Sequence, residues 1–170
     1  QVNNYDATFH LCAYYDNQVP PAFLADVTTT TKTVVWFKYN LWQIAWNPAY
    51  DFQNRFGFGF SGLRGLNALP SAANPAPGFF DTITYKSLPF VKYYDYAGGA
   101  VAADPDVGIV AVTDTQKATT LVPMSNPKTS ETAPYIVRAG NFWYVADLPF
   151  SYIGPRDRYL VLTDLLHDML

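Results

Sequence analysis

Cysteine, histidine and runs of like charge are what this chain has least of. A single cysteine, Cys12, cannot close an internal disulfide. It sits in an apolar stretch and reads as a small core residue. The two histidines, His10 and His167, form no Cys/His cluster of the kind that holds zinc. No Lys/Arg run exists and the net charge is −3, so nucleic acid is not an expected partner. No apolar stretch approaches the roughly 20 residues of a membrane-spanning helix. No signal-peptide pattern opens the chain, which begins at Gln1; any targeting segment is expected upstream.

Familiar catalytic signatures are missing too. There is no G-x-S-x-G elbow and no dinucleotide fingerprint. Gly57–Gly65 (GFGFSGLRG) holds four glycines, but no Gly-Lys-Ser/Thr follows. It reads as a bent strand and loop rather than a phosphate cradle. Asp16, Asp95, Asp106, Asp114 and Asp147 are lone carboxylates, and nothing selects a pair for glycoside hydrolysis. His167 beside Asp164 and Asp168 reads as a solvated helix face. No catalytic residue, metal ligand or cofactor is therefore expected within the chain.

Aromatic side chains are what the chain has in surplus. Thirteen Tyr, twelve Phe and four Trp are more than a 170-residue core normally absorbs. Surplus Tyr and Trp tend to sit half-exposed, an apolar ring with a polar handle. That composition suits sugar binding, and equally a domain–domain contact.

Ala133–Phe150 (APYIVRAGNFWYVADLPF) is the organising stretch. Gly140-Asn141 lies between two β-forming runs, which predicts a hairpin of 134–139 and 142–147. Residues 5–13 read as a buried strand and 21–28 as a short helix opened by Pro20-Pro21. Thr33–Tyr39 (TVVWFKY), nearly all β-branched or aromatic, reads as a strand buried on both faces. Strand, helix, strand within so short a span predicts a parallel βαβ unit. Asn40 is a candidate cap for the helix LWQIAW. There Trp42 and Trp46 share one face, as core or as a stacking surface. A second helical piece is expected over 49–56. Residues 67–78 (NALPSAANPAPG) form a Pro/Ala-rich connection between a βαβ-like half, 1–66, and a β-rich half, 79–170, that ends in a helix begun near Pro155. The whole is expected to be one α/β domain. Its sheet should be mostly parallel, with antiparallel pairing through the last hairpin.

Polar and aromatic residues cluster at predicted strand ends. Tyr14, Tyr15, Asn17, Asn40, Trp42, Asn141 and Trp143 are the candidate ligand-binding rim if the strands are parallel neighbours. Aromatic faces with Asn side chains suit neutral or amino-sugar polymers.

Four blocks carry a resemblance: residues 5–27, 33–46 (TVVWFKYNLWQIAW), 52–60 (FQNRFGFGF) and, above all, 133–170. They resemble the region just upstream of the catalytic domain in secreted polysaccharide deacetylases of the fungal galactosaminogalactan deacetylase type and their bacterial relatives. In such proteins a metal-dependent deacetylase barrel follows the helix that ends here, and none of its motifs lies in this chain. The resemblance implies an extracellular or cell-wall-associated, non-catalytic accessory domain. Its role would be to hold an N-acetylated amino-sugar polymer or to brace a downstream catalytic domain. It implies as well that an α/β segment precedes Tyr5 in the family, so that this chain is a truncated domain. The βαβ opening looks flavodoxin-like or amidotransferase-like. The alternative is part of a carbohydrate-active hydrolase whose active site is completed by sequence outside the chain.

Overall fold

The structure is a computed structural model that describes residues 2–12, 14–64, 80–91, 106–127, 129–148 and 163–170. Nine strands are described: β1 (Ala7–Cys12), β2 (Thr33–Lys38), β3 (Phe58–Arg64), β4 (Thr82–Tyr85), β5 (Leu88–Val91), β6 (Val107–Val112), β7 (Thr119–Asn126), β8 (Glu131–Ala139) and β9 (Phe142–Val145). Three short helices are α1 (Pro21–Thr29), α2 (Trp42–Ala45) and α3 (Phe52–Phe56). Residues 163–169 are also helical.

Seven strands make one curled, mixed sheet in the order β1-β2-β9-β8-β7-β4-β5, shaped as a half-barrel. β3 and β6 form a small antiparallel sheet of their own. Only β1–β2 and β2–β9 are parallel ladders; the remaining pairs are antiparallel. This overturns the expected flavodoxin-like or amidotransferase-like, mostly parallel α/β fold: the molecule is mostly β. The physical reason lies in what covers β2. Its residues from Val34 to Lys38 are buried on both faces, as a parallel strand's would be. A strand sealed on both sides requires two covering layers, and those layers need not be helices. On the face of Trp36, α1 supplies Phe23. Further along that face, α3 and β3 supply Phe52, Phe56 and Phe58, which pack on Phe142 of β9. α2 and α3, at four and five residues, are too short to shield a sheet as crossover helices do.

β1, α1 and β2 form a parallel strand–helix–strand unit. α1 opens with Pro at its first position, where the missing N–H costs nothing. Leu24 and Val27 are buried, each contributing about 1.5–3 kcal/mol. The helix ends where Thr28 and Thr29 turn their hydroxyls back to donate to the Ala25 carbonyl. β8 and β9 form the hairpin, with Gly140 at φ 60° in its turn. β9 is the seam of the sheet, parallel to β2 on one side and antiparallel to β8 on the other. All four of its residues are buried. Strands from both sides of residues 67–78 thus share one sheet. That connection itself lies outside the described residues. β3 bends at Gly62, φ 122°, where its register against β6 shifts.

Candidate functional site

The chain emerging from β1 and the chain emerging from β2 leave the sheet at the same edge, because the two strands are parallel. Their side chains lock them together. Asn40 holds φ 68°, and its Nδ2 donates to Cys12 Sγ at 2.7 Å and to the Tyr14 carbonyl at 2.9 Å. The Cys12 thiol donates to the same carbonyl at 3.2 Å. Asn40 is thus a cross-brace between loops and does not cap α2, whose N-cap is Leu41 with no side-chain bond. Gln43 of α2 makes the second brace. Its Oε1 accepts from the Val19 amide at 2.9 Å, and its Nε2 donates to the Asn17 carbonyl at 2.8 Å. Loop 14–19 is therefore held at both ends before any ligand arrives.

Against this braced loop lies a cleft of about 600 Å³, lined among others by Asp16, Gln18, Trp42, Trp46, Asn47 and Tyr50. It is within the range of small-molecule sites. Two of its wall rings are neighbours: Trp42 lies 6.4 Å from Trp46. Tyr15 packs on Trp42 with ring centroids 6.2 Å apart. Trp46 is 53% exposed, yet its indole N–H is spent on the Phe60 carbonyl at 2.8 Å. What Trp46 offers a ligand is therefore ring carbon in a fixed orientation. Asn47 Oδ1 accepts from the Ala49 amide at 3.0 Å, which sets the turn leading to Tyr50.

A second cleft of about 610 Å³ runs between β1 and α1 past Phe9, His10 and Phe23. His10 stacks on Trp36 with ring centroids 4.1 Å apart. Burial holds its imidazole below the usual range. Its Nε2 has no partner among the described residues. Fewer polar side chains line this cleft than the one beside Trp42.

Beneath the same sheet edge sits a sealed polar cluster. Lys38 Nζ lies 2.9 Å from Asp147 Oδ1, with the two side chains 1% and 0% exposed. Tyr144 donates its hydroxyl to the Lys38 carbonyl at 3.2 Å. Burial, then the negative charge of Asp147, pushes the Tyr135 and Tyr144 phenols well above their usual range. These groups are walled off from solvent and hold the strand ends in place.

The expected rim is thus split. Tyr14, Tyr15, Asn17 and Trp42 gather at the C-terminal edge of β1 and β2, with Asn40 buried beneath them as their brace. Asn141 lies at the opposite edge. It precedes β9, which runs parallel to β2, so it meets the residues that enter β2: its Nδ2 donates to the carbonyls of Thr30 and Lys32. Trp143 is inside β9 and only 5% exposed, with the Arg138 guanidinium 5.0 Å from its ring. Neither can join the cleft. Tyr50 and Gln43 were not among the expected binding residues, and Trp46 was expected either as core or as a stacking surface. A signal for three of the cleft aromatics was present, since Trp42, Trp46 and Tyr50 recur every four residues. Comparison with protein-family models, curated proteins and solved structures finds no match for this chain.

Proposed function

We propose that this chain is a non-catalytic glycan-holding domain. We place it, on its resemblance, as an accessory to a catalytic domain of an extracellular exopolysaccharide deacetylase acting on an amino-sugar polymer. The observation that carries the binding role is the cleft of about 600 Å³ walled by Trp42, Trp46 and Tyr50. A pyranose presents a face of C–H groups and an equator of hydroxyls. The C–H face suits an indole whose N–H is already engaged, as that of Trp46 is. Gln18 and Asn47 stand beside the rings as donors and acceptors for hydroxyls. The braces from Asn40 and Gln43 support the reading as well, because a wall ordered in advance lowers the entropy lost on binding.

The test is titration of the folded chain with amino-sugar oligomers, followed by tryptophan fluorescence and calorimetry. Saturable binding is expected, weakened at least about tenfold by Trp46→Ala. Trp42→Ala should weaken it too. No binding by well-folded protein, or binding indifferent to both substitutions, overturns the reading.

A further inference from the structure

Charge decides which amino sugar the cleft prefers. Of the described residues that line it, Asp16 alone carries a carboxyl group, and none is Lys, Arg or His. Asp16 is exposed, and its carboxylate has no hydrogen bond or ion pair among the described residues. It lies on the loop braced by Asn40 and Gln43, facing the same space as the indoles.

We propose that the cleft selects the de-N-acetylated, cationic units of an amino-sugar polymer over the N-acetylated ones. The preference rests on the cleft being a glycan site, and concerns which unit that site holds. An N-acetyl-hexosamine and its free-amine counterpart share ring, hydroxyls and C–H face. The stacking on Trp42 and Trp46 and the amide contacts of Gln18 and Asn47 therefore serve both alike. The two differ where one carries a neutral amide and the other an ammonium. An ammonium beside Asp16 gains a charge-assisted hydrogen bond. Close to an indole face it gains cation–π attraction as well. No positive side chain among the described lining residues opposes it, and the net charge of −3 favours its approach. An N-acetyl group can still donate its amide N–H to the carboxylate, but it brings no opposite charge and no cation–π attraction. Beside a catalytic domain that removes acetyl groups, such a site would hold stretches of polymer already processed.

The experiment compares a glucosamine hexamer with an N-acetylglucosamine hexamer, and the matching galactosamine pair, on the full chain by calorimetry. The pH is kept low enough for the amines to be protonated, and salt is varied. Free-amine oligomers are expected to bind about threefold to tenfold tighter, an exposed charge pair being modest in water. The advantage should shrink as salt rises. Asp16→Asn should abolish it, the free-amine oligomers losing more affinity than the N-acetylated ones, with circular dichroism confirming the fold. Equal or tighter binding of the N-acetylated oligomers overturns the preference but leaves the glycan site standing. An advantage that survives Asp16→Asn overturns the role of Asp16. Failure of both oligomer types to bind folded protein overturns the glycan site, and the preference with it.

Discussion

The Lys38 ammonium meets the Asp147 carboxylate at 2.9 Å across the ends of β2 and β9, two strands far apart in sequence and adjacent in the sheet. Both side chains are sealed. Removing one partner leaves a charge in a space that water does not enter. Asp147→Ala is expected to cost about 3–5 kcal/mol in urea unfolding. Lys38→Met with Asp147→Leu should cost less than the two single changes added together. Additive losses would show that the pair does not act as a unit.

Gly108 is required by Tyr144. A methyl group at residue 108 would fall 1.6 Å from the Tyr144 hydroxyl oxygen and 2.9 Å from its ring carbon Cζ. Gly108→Ala is therefore expected to destabilise by about 1–3 kcal/mol. Tyr144→Phe, which removes the nearer atom, should recover part of that loss in the double variant. A thermal melt of the three variants checks it, and an unchanged midpoint in Gly108→Ala would refute the contact.

Trp143 and Trp46 should separate stability from binding. Trp143, 5% exposed in the seam strand, is expected to cost about 3–5 kcal/mol when cut to Ala. Trp46, 53% exposed, should cost far less in stability and most of the glycan affinity. Denaturation curves and oligomer titrations on both variants decide it; the opposite assignment would remove the case for the cleft.

His10 gives stability a pH dependence. Burial against Trp36 keeps its folded-state pKa below the usual 6.5, so the unfolded chain binds the proton more readily. The contribution of the neutral ring is present above pH 6.5 and is lost as pH falls through the depressed folded value. The Glu131 carboxylate is stabilised chiefly by the Arg64 guanidinium, and its linked loss begins only toward its usual 4.5. Between pH 6.5 and 4.5 the midpoint of unfolding should fall, and His10→Phe should flatten that slope. A slope unchanged in the variant would assign it elsewhere.

Strand identity was legible where the side-chain pattern is local. TVVWFKY announced β2, Gly140-Asn141 announced the hairpin of β8 and β9, and Pro20-Pro21 announced α1. The direction of the rim was also implicit. Residues that follow β1 and β2 and residues that precede β9 cannot share an edge when the strands are parallel. The placement of Asn141 therefore needed only that rule.

What the sequence by itself determined is the set of elements and the surplus of aromatic rings, because backbone propensity and side-chain period act over a few residues. Tertiary structure alone decided what those elements build. Burial of β2 on both faces demands cover without naming it; along one face of β2 and β9 that cover proved to be rings, Phe23 of α1 on Trp36 and those of α3 and β3 on Phe142, rather than a full helical layer. It also decided which aromatics are sealed and which face the cleft. Trp143 and Trp46 are the same residue type, in stretches of similar polarity. One lies in a strand with a neighbour on each side, the other in the turn after a four-residue helix at the open sheet edge. Exposure depends on which segments, distant in the chain, come to lie on a side chain, and no local pattern encodes that.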